Sequence, residues 1–211
     1  IRRARQSGKP VITATQMLRS MVSSPRPTRA EAADVANAIL DGTDALMLSE
    51  ETAVGAYPIE AVKVLDRIAR ATEPYLNEDD FLNGRTSELL PMTPSSISRA
   101  ACQMAEDLGA AAIVAGTSSG STARLVARFR PACPVVGLTP KVVTQRQLTL
   151  SWGVIPALVA PFGDTEEMFG LAGLWVLDQG LAKEGDCVIV TAGVPVGVAG
   201  TTNLVRVIEI K

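Results

Sequence analysis

The chain has 211 residues, 47% of them hydrophobic but only 4% aromatic, with a formal net charge of −2 and no histidine. That length allows one or two domains, and the core must be built from Val, Ile, Leu and Ala, which suits an α/β protein with buried parallel strands. The near-neutral balance argues against a nucleic-acid binder steered by a basic face. The lack of both histidine and Cys-x-x-Cys excludes the usual Cys/His zinc sites, as the lack of histidine excludes a histidine base.

Cys102, Cys133 and Cys187 are far apart in sequence, form no Cys-x-x-Cys, and read as reduced buried thiols of a cytosolic protein. The basic start Ile1-Arg2-Arg3-Ala4-Arg5 runs into polar Gln6-Ser7-Gly8-Lys9 rather than an apolar signal core. No stretch approaches the ~20 apolar residues of a membrane span. A cytoplasmic protein is therefore expected. The first residue is Ile, not Met, so the natural start is expected to lie upstream.

In chain order, residues 11–14 read as a short buried strand after a Gly-Lys-Pro turn. Thr28-Arg29-Ala30-Glu31 is a capping-box pattern, and Ala32, Val35, Ile39 and Leu40 follow at helical spacing up to Asp41-Gly42. A second strand is expected at 45–48. Pro58 then opens a helix with Ile59, Val62, Leu65, Ile68 and Ala69 on one face. Residues 77–94 are polar and turn-rich and read as a linker between a module at 1–76 and a domain at 95–211. In that domain a helix is expected from Ser95 to Leu108, ended by Gly109. Strands are expected at 111–115, 135–138, 155–159, 187–191 and 204–210, with helices at 121–130, 142–148 and 165–181. Asp164 and Glu167 read as a cap pair for the last helix. No crossover helix separates the last two strands, so the final one is expected as an antiparallel edge.

The strand–helix–strand–helix pattern of the first module predicts parallel pairing. Two βα units cannot close a barrel, which needs eight strands, so upstream chain is expected. Thr15-Gln16 and Ser49-Glu50-Glu51 fall at the ends of the two strands, where (β/α)₈ barrels carry their chemistry. A hydroxyl there can hold an anion or a water, and a carboxylate beside it can relay a proton. Equally, Thr15 and Ser49 can cap the following turns, with Glu51 a solvated loop acid.

In the second domain, Gly116-Thr117-Ser118-Ser119-Gly120-Ser121-Thr122 links a strand to a helix. Backbone N–H groups, hydroxyls and a helix start are the ingredients of a phosphate site, and also of a plain capped turn. The Gly-rich segment 193–200 precedes Thr201-Thr202-Asn203 and follows another strand. Both loops can lie at the carboxyl edge of one sheet, where open α/β folds bind ligands. Residues 193–200 carry no Lys or Arg, which leans towards a monophosphate rather than a bisphosphate. Trp152 is read as a ligand platform or a core residue.

Ala14-Thr15-Gln16-Met17-Leu18, Pro27-Thr28-Arg29-Ala30-Glu31, Val35-Ala36-Asn37-Ala38 and Met47-Leu48-Ser49-Glu50-Glu51-Thr52-Ala53, in that order, closely resemble the end of the catalytic barrel of pyruvate kinase. Residues 95–211 resemble its C-terminal domain in order and length. The resemblance implies an incomplete (β/α)₈ barrel segment followed by a three-layer α/β/α domain with a mostly parallel five-stranded sheet. It implies phosphoryl transfer from phosphoenolpyruvate to ADP, giving pyruvate and ATP, in a homotetramer with Mg²⁺ and K⁺. Thr15 would contact substrate, and Ser49 and Glu51 would belong to the network that protonates the enolate. Thr117, Ser118, Ser119, Gly120, Ser121 and Thr122 would hold the phosphate of a sugar-phosphate or nucleotide effector. Gly197, Gly200 and Thr201 would close over the rest of it. The family's phosphoryl-bridging lysine and its metal ligands match nothing in this sequence, so the chain alone is expected to be inactive.

Two positions depart from the pattern: Arg19 stands where Glu is usual, and Glu50 where Gly or Ala is common, the latter pointing towards a bacterial source. A sugar-phosphate-binding regulatory module without catalysis is the alternative. It accounts for residues 110–130 but leaves 9–53 unexplained.

Overall fold

The fold comes from a computed structural model, which describes residues 1–14, 16–76, 92–196, 198 and 200–211. Thr15, Ala199, Gly197 and most of the expected linker lie outside the described residues. The chain divides into two compact units, Ile1–Arg5 with Lys9–Asn77, and Gln6–Gly8 with Glu78–Lys211.

The first unit begins with helix α1 (Arg2–Gln6), then strand β1 (Ile12–Thr13), helix α2 (Arg29–Leu40), strand β2 (Ala45–Leu46), and helices α3 (Glu50–Ala53) and α4 (Pro58–Thr72). β1 and β2 pair in parallel, Ile12 against Ala45 and Thr13 against Leu46. Two side-chain links hold that register. The Thr13 and Thr43 hydroxyls lie 2.9 Å apart, and Val11 N–H donates to the Asp44 carboxylate at 2.9 Å.

α2 starts where the capping box predicts. Glu31 N–H donates to Thr28 Oγ1 at 3.3 Å, and Thr28 N–H donates back to Glu31 Oε2 at 2.8 Å. Such a cap is worth ~1 kcal/mol. Ser20 adds its own N–H, at 2.7 Å, and its hydroxyl to the same carboxylate. Burial pushes the Glu31 carboxyl up, but the Ser20 and Thr28 donors outweigh it and hold it below its usual value.

The core of this unit gathers Met17, Leu18, Met21, Val35, Ala38, Ile39 and Ala61, with Val64, Leu65, Ile68 and Ala69 packed against it. The inward face of α4 is therefore the stripe through Ala61, Leu65 and Ile68. Ile59 and Val62, expected on it, are exposed, as is Leu40 of α2. Selecting only the bulky residues rotates the predicted stripe, because Ala61, small and completely buried, marks the closest approach.

The second unit runs α5 (Met92–Leu108), β3 (Ala112–Gly116), α6 (Ser121–Ala127), β4 (Val135–Thr139), α7 (Val142–Leu148), β5 (Val154–Leu158), α8 (Thr165–Asp178), β6 (Cys187–Gly193) and β7 (Thr202–Glu209). The strands form one five-stranded sheet in the order β5-β4-β3-β6-β7. β7 is antiparallel to β6 and the other pairings are parallel, as the missing crossover helix predicts.

Alternate strand residues feed two cores, one on each face. Ala112, Val114, Val136, Leu138, Val188 and Val190 meet Met168, Phe169, Ala172 and Val176 of α8. Ile113, Ala115, Val135 and Ile189 meet α5, α6 and α7 through residues such as Ala101, Val126 and Leu148. That two-faced burial gives the α/β/α layering and explains why β3 reads as an unbroken apolar run.

Most strand ends shift by one or two residues from the sequence reading, and three helix boundaries of this unit differ for identifiable reasons. α5 begins at Met92, with Pro94 tolerated in its first turn, where an unbonded N–H costs nothing. α6 stops at Ala127 rather than at 130: Arg130 has φ 55° and precedes Pro131, whose ring disfavours helix in the residue before it. α8 ends at Asp178, closed by Gly180 at φ 66° and by Leu181 N–H donating to Val176 O at 2.9 Å. At its start Asp164 caps Glu167 N–H at 2.9 Å, while the Glu167 carboxylate reaches Gly163 N–H rather than Asp164 itself. None of the three cysteines is in a disulfide; Cys102 belongs to the α5-side core, and Cys133 and Cys187 pack against it.

Candidate functional site

In the second unit the chain leaves central strand β3 towards β4 on one side and reaches β6 on the other. Strand order reverses between β3 and β6, and an open α/β sheet has its binding crevice at the carboxyl ends of such a pair. A cleft of about 160 Å³ lies there. Thr117, Ser118, Ser119, Ser121 and Thr122 line one side, and Gly193, Gly200, Thr201 and Thr202 line the other. The structure thus brings the two predicted loops together. Gly120 shapes the turn without lining the cleft, and Gly197 lies outside the described residues.

The Ser/Thr loop is braced from several directions. Thr117 N–H donates to Leu138 O at 2.9 Å, tying the loop to β4. Thr117 Oγ1 accepts from Gly120 N–H at 2.9 Å and closes the turn, with Gly120 at φ 80°. The Ser118 carbonyl is taken by the Thr144 hydroxyl at 2.9 Å, and the Ser119 carbonyl by the Arg124 guanidinium at 3.1 Å. Carbonyl oxygens repel an anion, and these two are held by protein donors. Burial pushes the Arg124 guanidinium down from its usual value. Ser119 Oγ donates to Ser121 Oγ at 3.1 Å. Across the cleft, the Thr122 and Thr202 hydroxyls are bonded at 2.8 Å, joining residues 80 positions apart.

The opposite loop is clamped at its base. The Asn203 side chain accepts from Val194 N–H at 2.9 Å and donates to Val194 O at 2.8 Å. Thr201 Oγ1 donates to Val198 O at 2.8 Å. A side chain at Gly193 would run into Thr201, so that position requires glycine.

Sequence reasoning missed part of this cleft. Lys141, after β4, is the only charged side chain among the described lining residues, and Phe162 and Met168 supply an apolar wall. Counting cations only over 193–200 overlooked the neighbouring strand. Thr139-Pro140-Lys141 ends β4, beside β3, and so reaches the same sheet edge. Trp152 does not line the cleft; the Arg130 guanidinium sits 4.8 Å above its ring.

In the first unit, Ala14, Gln16, Arg19, Ser49, Glu50 and Glu51 line a second cleft of about 260 Å³. Ser49 and Glu51 are brought together there. Thr15 lies outside the described residues. Glu51 is not a solvated loop acid: it is 2% exposed. Its Oε1 accepts from Leu18 N–H at 3.0 Å and its Oε2 from Ser49 N–H at 2.7 Å. Burial pushes the Glu51 carboxyl up and the Glu31 charge adds to that. The N–H groups of Glu51, Ser49 and Leu18 outweigh both and hold it below its usual value. Ser49 precedes α3 but its hydroxyl makes no cap bond, which leaves it exposed at the cleft. The two unusual residues, Arg19 and Glu50, face each other at 3.6 Å. Both are exposed, so the pair is worth at most ~1 kcal/mol.

No group of three or more His, Cys, Asp or Glu residues that could hold a metal occurs among the described residues. The described residues therefore do not fit a Mg²⁺ site. No described helix is long and apolar enough to cross a membrane.

Comparison with known proteins covers both units of the chain. Residues 1–62 match the family model for the pyruvate kinase barrel domain, and 95–208 that for the pyruvate kinase alpha/beta domain. A pyruvate kinase of Clostridium acetobutylicum is 49% identical over 98% of this chain and 44% of its own length. Pyruvate kinase 2 of Synechocystis is 50% identical over 99% of this chain and 34% of its own. The crystal structure of a pyruvate kinase from Cryptosporidium parvum superposes with a TM-score of 0.86 at 34% identity, over 99% of this chain and 41% of that one. The chain therefore spans less than half the length of these relatives.

Proposed function

The chain belongs to the pyruvate kinase family of glycolytic phosphotransferases, and on that premise we propose that it is the terminal portion of such an enzyme, bearing its effector site. In this reading residues 1–76 are the end of a (β/α)₈ catalytic barrel, 77–94 a linker, and 95–211 a regulatory α/β domain. The complete enzyme moves a phosphoryl group from phosphoenolpyruvate to ADP, giving pyruvate and ATP, as a cytoplasmic homotetramer. The family uses Mg²⁺ and K⁺, whose ligands are expected outside this sequence. Thr15, Ser49 and Glu51 serve the enolate half of the reaction. Ser49 offers a hydroxyl and Glu51 holds the strand ends around it.

Phosphoryl transfer depends on positioning and on neutralising charge with metal and cations. These 211 residues bring little of either. A turnover assay on the isolated chain with phosphoenolpyruvate, ADP, Mg²⁺ and K⁺ is expected to give no pyruvate. Clear ATP formation would overturn that expectation. A purely regulatory module remains the weaker reading, because it has no use for the residues 1–62 matched by the barrel family.

The observation that carries the effector reading is the cleft between β3 and β6, with its braced hydroxyl loop and one lysine. A monophosphate ester fits it: hydroxyls and N–H groups for the phosphate, Lys141 for its charge, and Phe162 for the carbon skeleton. A second phosphate finds no further cation among the described lining residues. Calorimetry should find ribose 5-phosphate bound at least as tightly as fructose 1,6-bisphosphate, and the reverse order would sink the monophosphate assignment. Lys141→Ala should weaken monophosphate binding roughly tenfold, the worth of one charge-assisted contact.

A further inference from the structure

The bond between the Thr122 and Thr202 hydroxyls does more than hold two loops together. Either oxygen can be the donor. A hydroxyl carries one proton, so the direction of this bond decides what Thr122 presents to the cleft. If Thr122 donates to Thr202, it turns lone pairs towards an incoming anion. If Thr202 donates to Thr122, the Thr122 proton is left for the anion. Thr122 is 4% exposed and Thr202 1%, so bulk water offers neither an easy substitute partner.

We propose that Thr202 is a positioning residue of the phosphate site: it donates to Thr122 and so aims the Thr122 hydroxyl proton at the bound phosphate. The proposal rests on the effector reading above and names how that site is switched to anion binding. Thr122 sits in the first turn of α6, where a threonine hydroxyl has a competing orientation, bonded back to a carbonyl three or four residues earlier. Those carbonyls belong to Ser119 and Ser118, which already accept from Arg124 and Thr144. With both carbonyls engaged, the Thr122 proton is left to choose between Thr202 and the cleft. Thr202 is itself fixed as the first residue of β7, opposite Gly193 at a register shift, with Asn203 clamping Val194 beside it. An anion in the cleft then selects one order of protons, Thr202 to Thr122 to phosphate, and each bond in such a chain polarises the next.

Titration of the whole chain with inorganic phosphate and with ribose 5-phosphate tests this. T202V, nearly the same shape without the hydroxyl, is expected to weaken both about tenfold. T202S should bind within about twofold of the parent, since the donor returns. T122V/T202V should bind no worse than T122V, because Thr202 acts through Thr122. Proton NMR gives a reading that packing alone would not move: in the parent the Thr122 hydroxyl proton shifts downfield on adding phosphate, and in T202V it does not. Parent-like binding by T202V, or T202S as weak as T202V, overturns the relay while leaving the phosphate site intact. Independent, multiplying losses from T122V and T202V overturn it too. A parent chain that binds neither phosphate overturns the effector reading itself, and the relay with it.

Discussion

Glu51→Ala is expected to cost the first unit about 1–4 kcal/mol, because it orphans the buried Leu18 donor and also strips the acceptor from the more exposed Ser49 N–H. Leu18 N–H and Ser49 N–H both end on this carboxylate, at 3.0 and 2.7 Å. Leu18 is completely buried, so water cannot easily replace the lost acceptor. Glu51→Gln keeps the shape but offers one carbonyl oxygen and an NH₂ group to two N–H donors. Its cost should be about half as large. Amide hydrogen exchange at Leu18 and Ser49 separates this local effect from unfolding of the second unit. Unchanged protection of both amides in the alanine variant would rule out the pin.

The same geometry fixes a pH dependence. The folded Glu51 carboxyl lies below its ordinary value of 4.5. Its stabilisation is therefore complete above that value and is lost as pH falls through the lower folded pKa. Protection at Leu18 and Ser49 should stay flat above about pH 5 and drop in acid, and the alanine variant should lack that drop. The functional consequence follows from where the two donors sit. Leu18 belongs to the segment after β1 and Ser49 to the segment after β2, so one buried carboxylate sets the distance between two strand ends.

Much of this architecture is legible in the sequence because it is written in local chemistry. The Thr28–Glu31 box, Pro58 at a helix start and the missing crossover before β7 each have a short-range cause, and each appears as expected. The errors arise where tertiary contact decides. Ala61 outranks Ile59 and Val62 in burial because closest approach, not bulk, picks the inward face of α4. Glu51 looks like a loop acid until the Leu18 amide, 33 residues away, is brought to it. Lys141 joins the phosphate cleft only through the order of strands in the sheet, which no single loop encodes. The Thr122–Thr202 bond likewise needs the β3–α6 turn and the β6–β7 connection both in place before it can form.

Gly120→Val should abolish most phosphate binding, by more than about tenfold, and cost about 2–4 kcal/mol of stability in the second unit. Two penalties combine. Gly120 has φ 80° and ψ −3°, a left-handed conformation that a β-branched residue resists. A Cβ there would also stand 3.0 Å from Leu148 Cδ2, and Leu148 is completely buried in the α5-side core. The nearest atom, Arg124 Nη1 at 2.6 Å, is the tip of a long side chain and can move. In moving, it surrenders the Ser119 carbonyl, which then faces an incoming anion without its cation. Backbone strain and loss of the site are thus coupled at Gly120, and another glycine of the same domain separates them. Gly109 shares the positive φ, at 59°, but a Cβ there meets nothing within 4 Å. Gly109→Ala should cost about 1 kcal/mol and leave phosphate affinity unchanged. If the Gly109 and Gly120 variants lose affinity equally, general loosening of the domain is the cause. If only the Gly120 variant does, the turn that Thr117 closes is what holds the anion.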